Sequence, residues 1–185
     1  MESAKEKMIS GQLYNASDPI LVQERVHTHE VCHAYNSIPN GGPTRENYLN
    51  QLMGEMGKNC FIEPPFFCDY GYNIFLGNDV YFNFNCIVLD GAPVRVGNGV
   101  KFGPNVQLYT AGHPLDPSDR AKGLEFATGI EIGDNVWIGG GSILLPGVHI
   151  GQNTVIGAGS VVTKSLPADV VAVGNPCRVI KKAIS

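Results

Sequence analysis

Aliphatic residues recur at every sixth position through most of the chain. From Ile132 the steps read IGDNVW, IGGGSI, LLPGVH, IGQNTV, IGAGSV and VTKSLP: an aliphatic residue opens each, glycine usually follows, and a small or β-branched residue usually stands fifth. The same frame holds upstream in LGNDVY from Leu76 and in VGNGVK, FGPNVQ and LYTAGH from Val96. A period this short, sustained this long, predicts a solenoid. Strand side chains alternate between faces, so positions one and five both point inward, and glycine at position two is expected to let the chain bend without a Cβ clash. Three steps close one triangular coil. A single coil cannot bury its own apolar face, whereas coils stacked as parallel strands about 4.8 Å apart can.

Up to about residue 60 the period is absent. Asp18 followed by Pro19 is a cap and first-turn pair, and no glycine or further proline interrupts the chain to about Asn36, so a helix is predicted there. A second is predicted from Thr44, with Leu49, Leu52, Met53 and Met56 forming one apolar stripe before Gly57. Residues 1–58 therefore read as a helical cap over the open end of the solenoid, which would otherwise expose unpaired strand edges. Residues 59–185 read as the solenoid with its C-terminal tail. The most informative break in the repeat is at 114–129, where Pro114, Pro117, Asp119 and Arg120 fall in no six-residue register. Such insertions project as loops, commonly on the binding face.

Composition narrows the function classes. Of 185 residues, 43% are hydrophobic and 16% charged, enough for one core and short for two full domains. Net charge is −4, from 13 basic and 17 acidic residues without a basic block, which argues against a nucleic-acid surface or a polybasic membrane anchor. Lys5 and Lys7 precede no apolar signal core, and no stretch approaches the roughly 18 apolar residues of a membrane span, so a cytoplasmic protein is expected. The five cysteines, at 32, 60, 68, 86 and 177, include no CxxC pair. They are read as reduced, buried thiols without assigned chemistry.

His113 stands at the root of the insertion. Histidine, with an ordinary pKa of about 6.5, can take a proton from a hydroxyl near neutral pH and return it. The alternative is a turn histidine bonded to nearby backbone. The residues around it carry a resemblance: YTAGHP from Tyr109 with Asp116-Pro117, Tyr14 in GQLY, CDYGYNIFLGN from Cys68, YFNFN from Tyr81, NVWIG from Asn135 and GNPCRVIKK from Gly174. Together these motifs span nearly the whole chain, and they resemble the maltose and galactoside O-acetyltransferases among the hexapeptide-repeat acyltransferases. The resemblance implies a mainly β fold, a left-handed parallel β-helix; the hand comes from the family, since the period does not reveal it.

The resemblance also implies roles. His113 would be the general base, with Asn83 beside it, in direct transfer from acetyl-CoA to a sugar hydroxyl, without a metal or an acyl-enzyme. Arg25, Asp69, Tyr70, Tyr81 and Asn83 would bind the acceptor, although Asp69 and Tyr70 could equally satisfy turns. Trp137, Gly140, Ala158, Thr163, Lys164, Arg178 and Lys181 would serve the coenzyme A side of the site, Gly140 by donating its backbone N–H to the tetrahedral oxyanion and the tail cations by meeting phosphate, unless the tail lysines are simply solvated. Two acidic sugar-contacting positions of the galactoside-type proteins are Ala16 and Gly91 here, which argues against a strictly galactoside-like acceptor site, and the CDYGYNIFLG and HPLDP segments look most like the maltose-type enzymes, so maltose or glucose is the acceptor the resemblance implies. The family also implies a homotrimer with sites between subunits. Alternatives are a different hydroxyl or amine acceptor, a zinc carbonic anhydrase of the same scaffold, and a catalytically silent scaffold.

Overall fold

In the computed structural model, which describes residues 2–38 and 43–183, three parallel sheets form the sides of a solenoid of about six turns. The 39–42 connection between the cap helices and the last two tail residues lie outside the described residues. The first side stacks Glu55–Met56, Ile74–Leu76, Val94–Val96, Ile130–Ile132 and His149–Ile150. The second stacks Phe61–Ile62, Tyr81–Phe82, Lys101–Phe102, Trp137–Ile138, Val155–Ile156 and Val170–Val173, followed by antiparallel Arg178–Lys182. The third stacks Phe66–Cys68, Cys86–Leu89, Gln107–Tyr109, Ile143–Leu144 and Val161–Val162.

Positions one and five point inward as the period predicts. Ile132, Ile138, Leu144, Ile150, Ile156 and Val162 are buried, and so are Val136, Ser142, Val148, Thr154, Ser160 and Leu166. The hydroxyls among them are satisfied by backbone: Ser142 Oγ donates to the Gly139 carbonyl at 2.7 Å and Thr154 Oγ1 to that of Pro167 at 2.7 Å. Equivalent side chains bond across the coils at separations of 20 residues for Asn78 and Asn98, 36 for Asn98 and Asp134, and 18 for Asn135 and Asn153. The insertion thus lies within one coil and leaves the stacking register intact.

Glycine at position two has a different task from the one expected. Gly139 and Gly151 do not have positive φ, but a Cβ on Gly151 would lie 2.2 Å from the Ala168 nitrogen, and one on Gly139 2.5 Å from that of Ala158. The residue is small because the next coil crosses it. The bend falls at position four, where Asn135, Gly141, Gly147, Asn153 and Gly159 have φ of 57°, 70°, 79°, 57° and 71°. Asparagine and glycine are the residues that enter this left-handed region at least cost.

Among the described residues, four helices accompany the coils. The helix α1 (Ala4–Ile9) escaped the sequence reading, although its signal was present: Ser3 and Glu6 form a reciprocal capping box. The helix α2 (Pro19–Asn36) begins at the predicted cap, where Asp18 accepts from the Ile20 N–H at 3.0 Å. The helix α3 (Pro43–Leu52) ends within the predicted stripe, after Leu49 and Leu52 and before Met53 and Met56. Gly54 N–H bonds the Ile74 carbonyl at 3.0 Å and Met56 pairs with Leu76, so the first coil captures the end of the apolar run before the helix can continue. Val31, Cys32 and Tyr35 of α2 and Leu49 and Leu52 of α3 join Ile62 and Phe66 in the main core, covering the first coil. The insertion contains α4 (Pro117–Ala121) and a strand, Leu124–Ala127, neither of which the hexapeptide pattern indicated.

Candidate active site

The site is built on the corner that follows the third side. The turns there stack one above another, and Asp90 ties two of them together: its Oδ1 accepts from the N–H groups of Asp69 at 3.0 Å and Tyr70 at 2.9 Å. The Asp90 side chain is fully buried, and burial pushes its carboxyl up to about 6. One face of α2 grips the same turn. Arg25 Nη1 donates to the Tyr70 hydroxyl at 2.6 Å, Arg25 Nη2 to the Ala16 carbonyl at 2.7 Å, and Thr28 Oγ1 to the Tyr70 carbonyl at 3.0 Å. Burial raises the Asp69 carboxyl, and the Arg25 and His29 charges offset part of that.

The insertion supplies the rest. Asp116 caps α4, Arg120 Nη1 donates to the carbonyls of Pro114 at 3.0 Å and Leu115 at 2.7 Å, and the chain then reverses. Leu124–Ala127 runs antiparallel to both Ala111–Gly112 and Tyr14–Asn15, so a three-stranded sheet covers the corner. His113 Nδ1 lies 3.3 Å from the Leu124 carbonyl, and its Nε2 lies 3.8 Å from Glu125 Oε1. The Tyr14 hydroxyl donates to Glu125 Oε2 at 2.7 Å. A carbonyl partner requires the proton on Nδ1, so in the neutral ring the lone pair is on Nε2, beside the Glu125 carboxylate. His113 is thus bonded to backbone, as a turn histidine would be, with its Nε2 facing Glu125. Glu125 was missed in the sequence, where no pattern in LEFA marks an acid that returns to His113.

Beneath this sheet Tyr14, Tyr70, Ala92 and Ala127 form a second small core with Met8 and Leu21, against which Ala16 and Tyr72 pack. Gly91 borders the Tyr14 and Glu125 contact, since a Cβ there would lie 3.4 Å from the Tyr14 hydroxyl.

The other sequence-predicted residues are elsewhere. Tyr81 and Trp137 belong to the outward row of the second side, both in register with Lys101. Trp137 is 56% exposed. Asn83, Gly140 and Ala158 stand at the corner between the second and third sides; Asn83 N–H bonds the Phe102 carbonyl at 3.0 Å, and the Gly140 carbonyl accepts from Gly159 N–H at 2.9 Å. Arg178 and Lys181 lie on the exposed antiparallel strand of the second side, opposite Val173 and Val171. Thr163 and Lys164 are exposed at the corner after Val161–Val162, two coils along from His113. Within one chain, therefore, Arg25, Asp69, Tyr70 and His113 come together, while Tyr81, Asn83, Trp137, Gly140 and Ala158 form a separate group across the third side.

A family profile described as the maltose acetyltransferase hexapeptide capping motif matches residues 7–57, and one described as bacterial transferase hexapeptide repeats matches residues 129–164. The crystal structure of a maltose O-acetyltransferase from Clostridium difficile 630 superposes with a TM-score of 0.97 at 49% identity, covering 100% of this chain and 99% of that one. The chain belongs to the maltose and galactoside O-acetyltransferase family. It is an acetyltransferase of the hexapeptide-repeat, parallel β-helix type. Nodulation protein L of Rhizobium meliloti is 47% identical over 95% of this chain and 96% of its own length. A hexapeptide-repeat acetyltransferase from Vibrio cholerae, solved in complex with acetyl coenzyme A, superposes with a TM-score of 0.92 at 32% identity, covering 100% of both chains.

Among the described residues, no three His, Cys, Asp or Glu side chains converge as a metal site, and no helix is long and apolar enough to cross a membrane.

Proposed function

We propose that this family member transfers the acetyl group of acetyl-CoA to a hydroxyl of a small saccharide, maltose or glucose in the first instance, with His113 as general base. The observation that carries the reading is the pairing of His113 Nδ1 with the Leu124 carbonyl, which leaves Nε2 as the proton acceptor next to Glu125. In the reaction Nε2 removes the hydroxyl proton as the sugar oxygen attacks the thioester carbonyl. The tetrahedral oxyanion collapses, the C–S bond breaks, and the imidazolium returns its proton to the departing coenzyme A thiolate. Glu125 stabilises the transient imidazolium. General-base help of this kind contributes about 10²- to 10⁴-fold, with positioning and oxyanion stabilisation supplying the remainder.

Arg25, Asp69 and Tyr70 border the acceptor in this scheme. The backbone N–H of Gly140, which has no protein partner among the described residues, serves the oxyanion. Trp137, Ala158, Thr163, Lys164, Arg178 and Lys181 accompany coenzyme A. Because the two groups of site residues occupy different edges of one chain, a complete site is assembled between neighbours of a homotrimer, with Tyr81 and Asn83 of one subunit facing His113 of the next. The acetyl-CoA pool available to such an enzyme is that of the cytoplasm.

The test is thiol release from acetyl-CoA with a panel of mono- and disaccharides, using wild type and His113→Ala. Wild type should turn over at least one saccharide, and the variant should lose about 10²-fold or more while still binding coenzyme A. An unchanged rate in the variant removes His113 as the base. One zinc per site, retained through chelator, would overturn the acetyltransfer mechanism in favour of metal-assisted chemistry.

A further inference from the structure

Two cysteines far apart in sequence meet under the acceptor turn. Cys32 Sγ on α2 lies 3.8 Å from Cys68 Sγ, the last residue of the Phe66–Cys68 strand, and one thiol hydrogen-bonds the other. The pair is free and buried, with 2% and 3% of each residue exposed. Cys32 nevertheless forms part of the wall of a groove of about 390 Å³, with His29, His33, Asn36, Pro65 and Phe67.

We propose that Cys32 and Cys68 are a peroxide-oxidised dithiol whose reversible disulfide tethers α2 to the acceptor turn. The chemistry balances with hydrogen peroxide as oxidant. The Cys32 thiolate attacks one peroxide oxygen, the O–O bond breaks, and the leaving hydroxide takes up the proton that Cys32 released, giving the sulfenic acid and one water. The Cys68 sulfur then attacks the Cys32 sulfur, the S–O bond breaks, and a second water forms from the displaced hydroxide and the Cys68 proton. Two thiols lose two electrons, and the peroxide becomes two waters. The hydrogen bond from Cys68 lowers the Cys32 thiol, and the same bond together with burial raises that of Cys68, so Cys32 attacks and Cys68 resolves. The sulfurs must approach by about 1.8 Å to reach bonding distance.

That movement acts on residues already placed around the acceptor. Cys68 is followed directly by Asp69 and Tyr70, whose N–H groups are held by Asp90, and Cys32 lies on the α2 face whose Arg25 and Thr28 hold Tyr70. The effect on catalysis rests on the acceptor role proposed above; the disulfide itself does not.

Purified wild type is exposed to hydrogen peroxide, free thiols are alkylated, and unreduced digests are read by mass spectrometry. The expected product is one linked pair of peptides carrying Cys32 and Cys68, lighter by two hydrogens and reversed by dithiothreitol. Cys68→Ser should leave Cys32 as a sulfenic acid trapped by dimedone, while Cys32→Ser should leave Cys68 unreacted; Cys32→Ala and thermal melts guard against misfolding. Absence of that pair, or linkage through Cys60, Cys86 or Cys177 in its place, overturns the proposal. In the oxidised enzyme the acceptor KM should rise severalfold and recover on reduction, with the acetyl-CoA KM unmoved. A disulfide that leaves the acceptor KM unchanged overturns the coupling to the turn. A wild type inactive on every saccharide overturns the proposed function, with the mass result still deciding the disulfide.

Discussion

Glu125 Oε1 lies 3.8 Å from His113 Nε2, although a helical turn and a reversal of the chain separate the two residues. The carboxylate is held by Tyr14, so it faces the imidazole without competing for the Nδ1 proton, which the Leu124 carbonyl takes. In the proposed mechanism its negative charge stabilises the imidazolium that forms when His113 takes the hydroxyl proton. Glu125→Gln should lower kcat about 10- to 100-fold with little change in either KM. Tyr14→Phe should cost less, because only the orientation of the carboxylate is loosened. Steady-state kinetics that show kcat intact in Glu125→Gln would remove the carboxylate from the reaction.

Arg25 joins two segments at once, the Tyr70 hydroxyl at 2.6 Å and the Ala16 carbonyl at 2.7 Å. Arg25→Ala should raise the acceptor KM about tenfold and leave that for acetyl-CoA unchanged. Arg25→Lys should recover little, since one ammonium cannot reproduce the planar fork that spans both partners. Equal shifts in the two KM values would instead mean a general loss of structure.

Asp90 carries a pH signature. Its carboxyl is raised by burial from 3.8 to about 6, so between those values the folded chain holds a proton that the unfolded chain has released. Stability contributed by this group therefore falls as pH rises from about 4 to about 6 and is level above, a loss of about 3 kcal/mol. Asp90→Asn cannot ionise. The melting temperature of wild type relative to that of the variant should drop by roughly 5–10 °C between pH 4 and pH 7. A constant difference across that range would show that Asp90 does not titrate there.

Glycines at positions two and four should fail differently. In Gly151→Ala the new Cβ meets Ala168 backbone at 2.2 Å, and the coils must part, at a cost of about 3 kcal/mol. Gly159 has φ +71° with nothing within 4 Å of an added Cβ, so Gly159→Ala costs only the left-handed strain, about 1–2 kcal/mol. Gly159→Asn should cost less still, since Asn135 and Asn153 occupy the same position in other coils. Urea midpoints would rank the three, and equal values for Gly151→Ala and Gly159→Ala would contradict the assignment of tasks.

Much of the fold is legible in one dimension because burial is periodic. Ile132 to Leu166 record at fixed intervals which side chains enter the core, and Asp18-Pro19 marks the start of α2 through a bond two residues long. These signals are local, so they survive without knowledge of what lies beside them. The same locality explains the errors: Gly151 looks like a bending residue until the coil above it is present, and Met56 fits a helical stripe until the strand at Ile74–Leu76 pairs with it.

By itself the sequence determined a β solenoid, its inward positions, its capping helix and the place where His113 interrupts the repeat. The tertiary structure alone decided that Glu125 returns beside His113, that Cys32 meets Cys68, and that Tyr81 and Trp137 lie on a different edge from Arg25 and Tyr70. The reason is physical. Periodicity encodes which way a side chain points relative to its own strand, whereas these meetings depend on how a loop folds back, which helix face packs on which turn, and how coils distant in sequence are stacked.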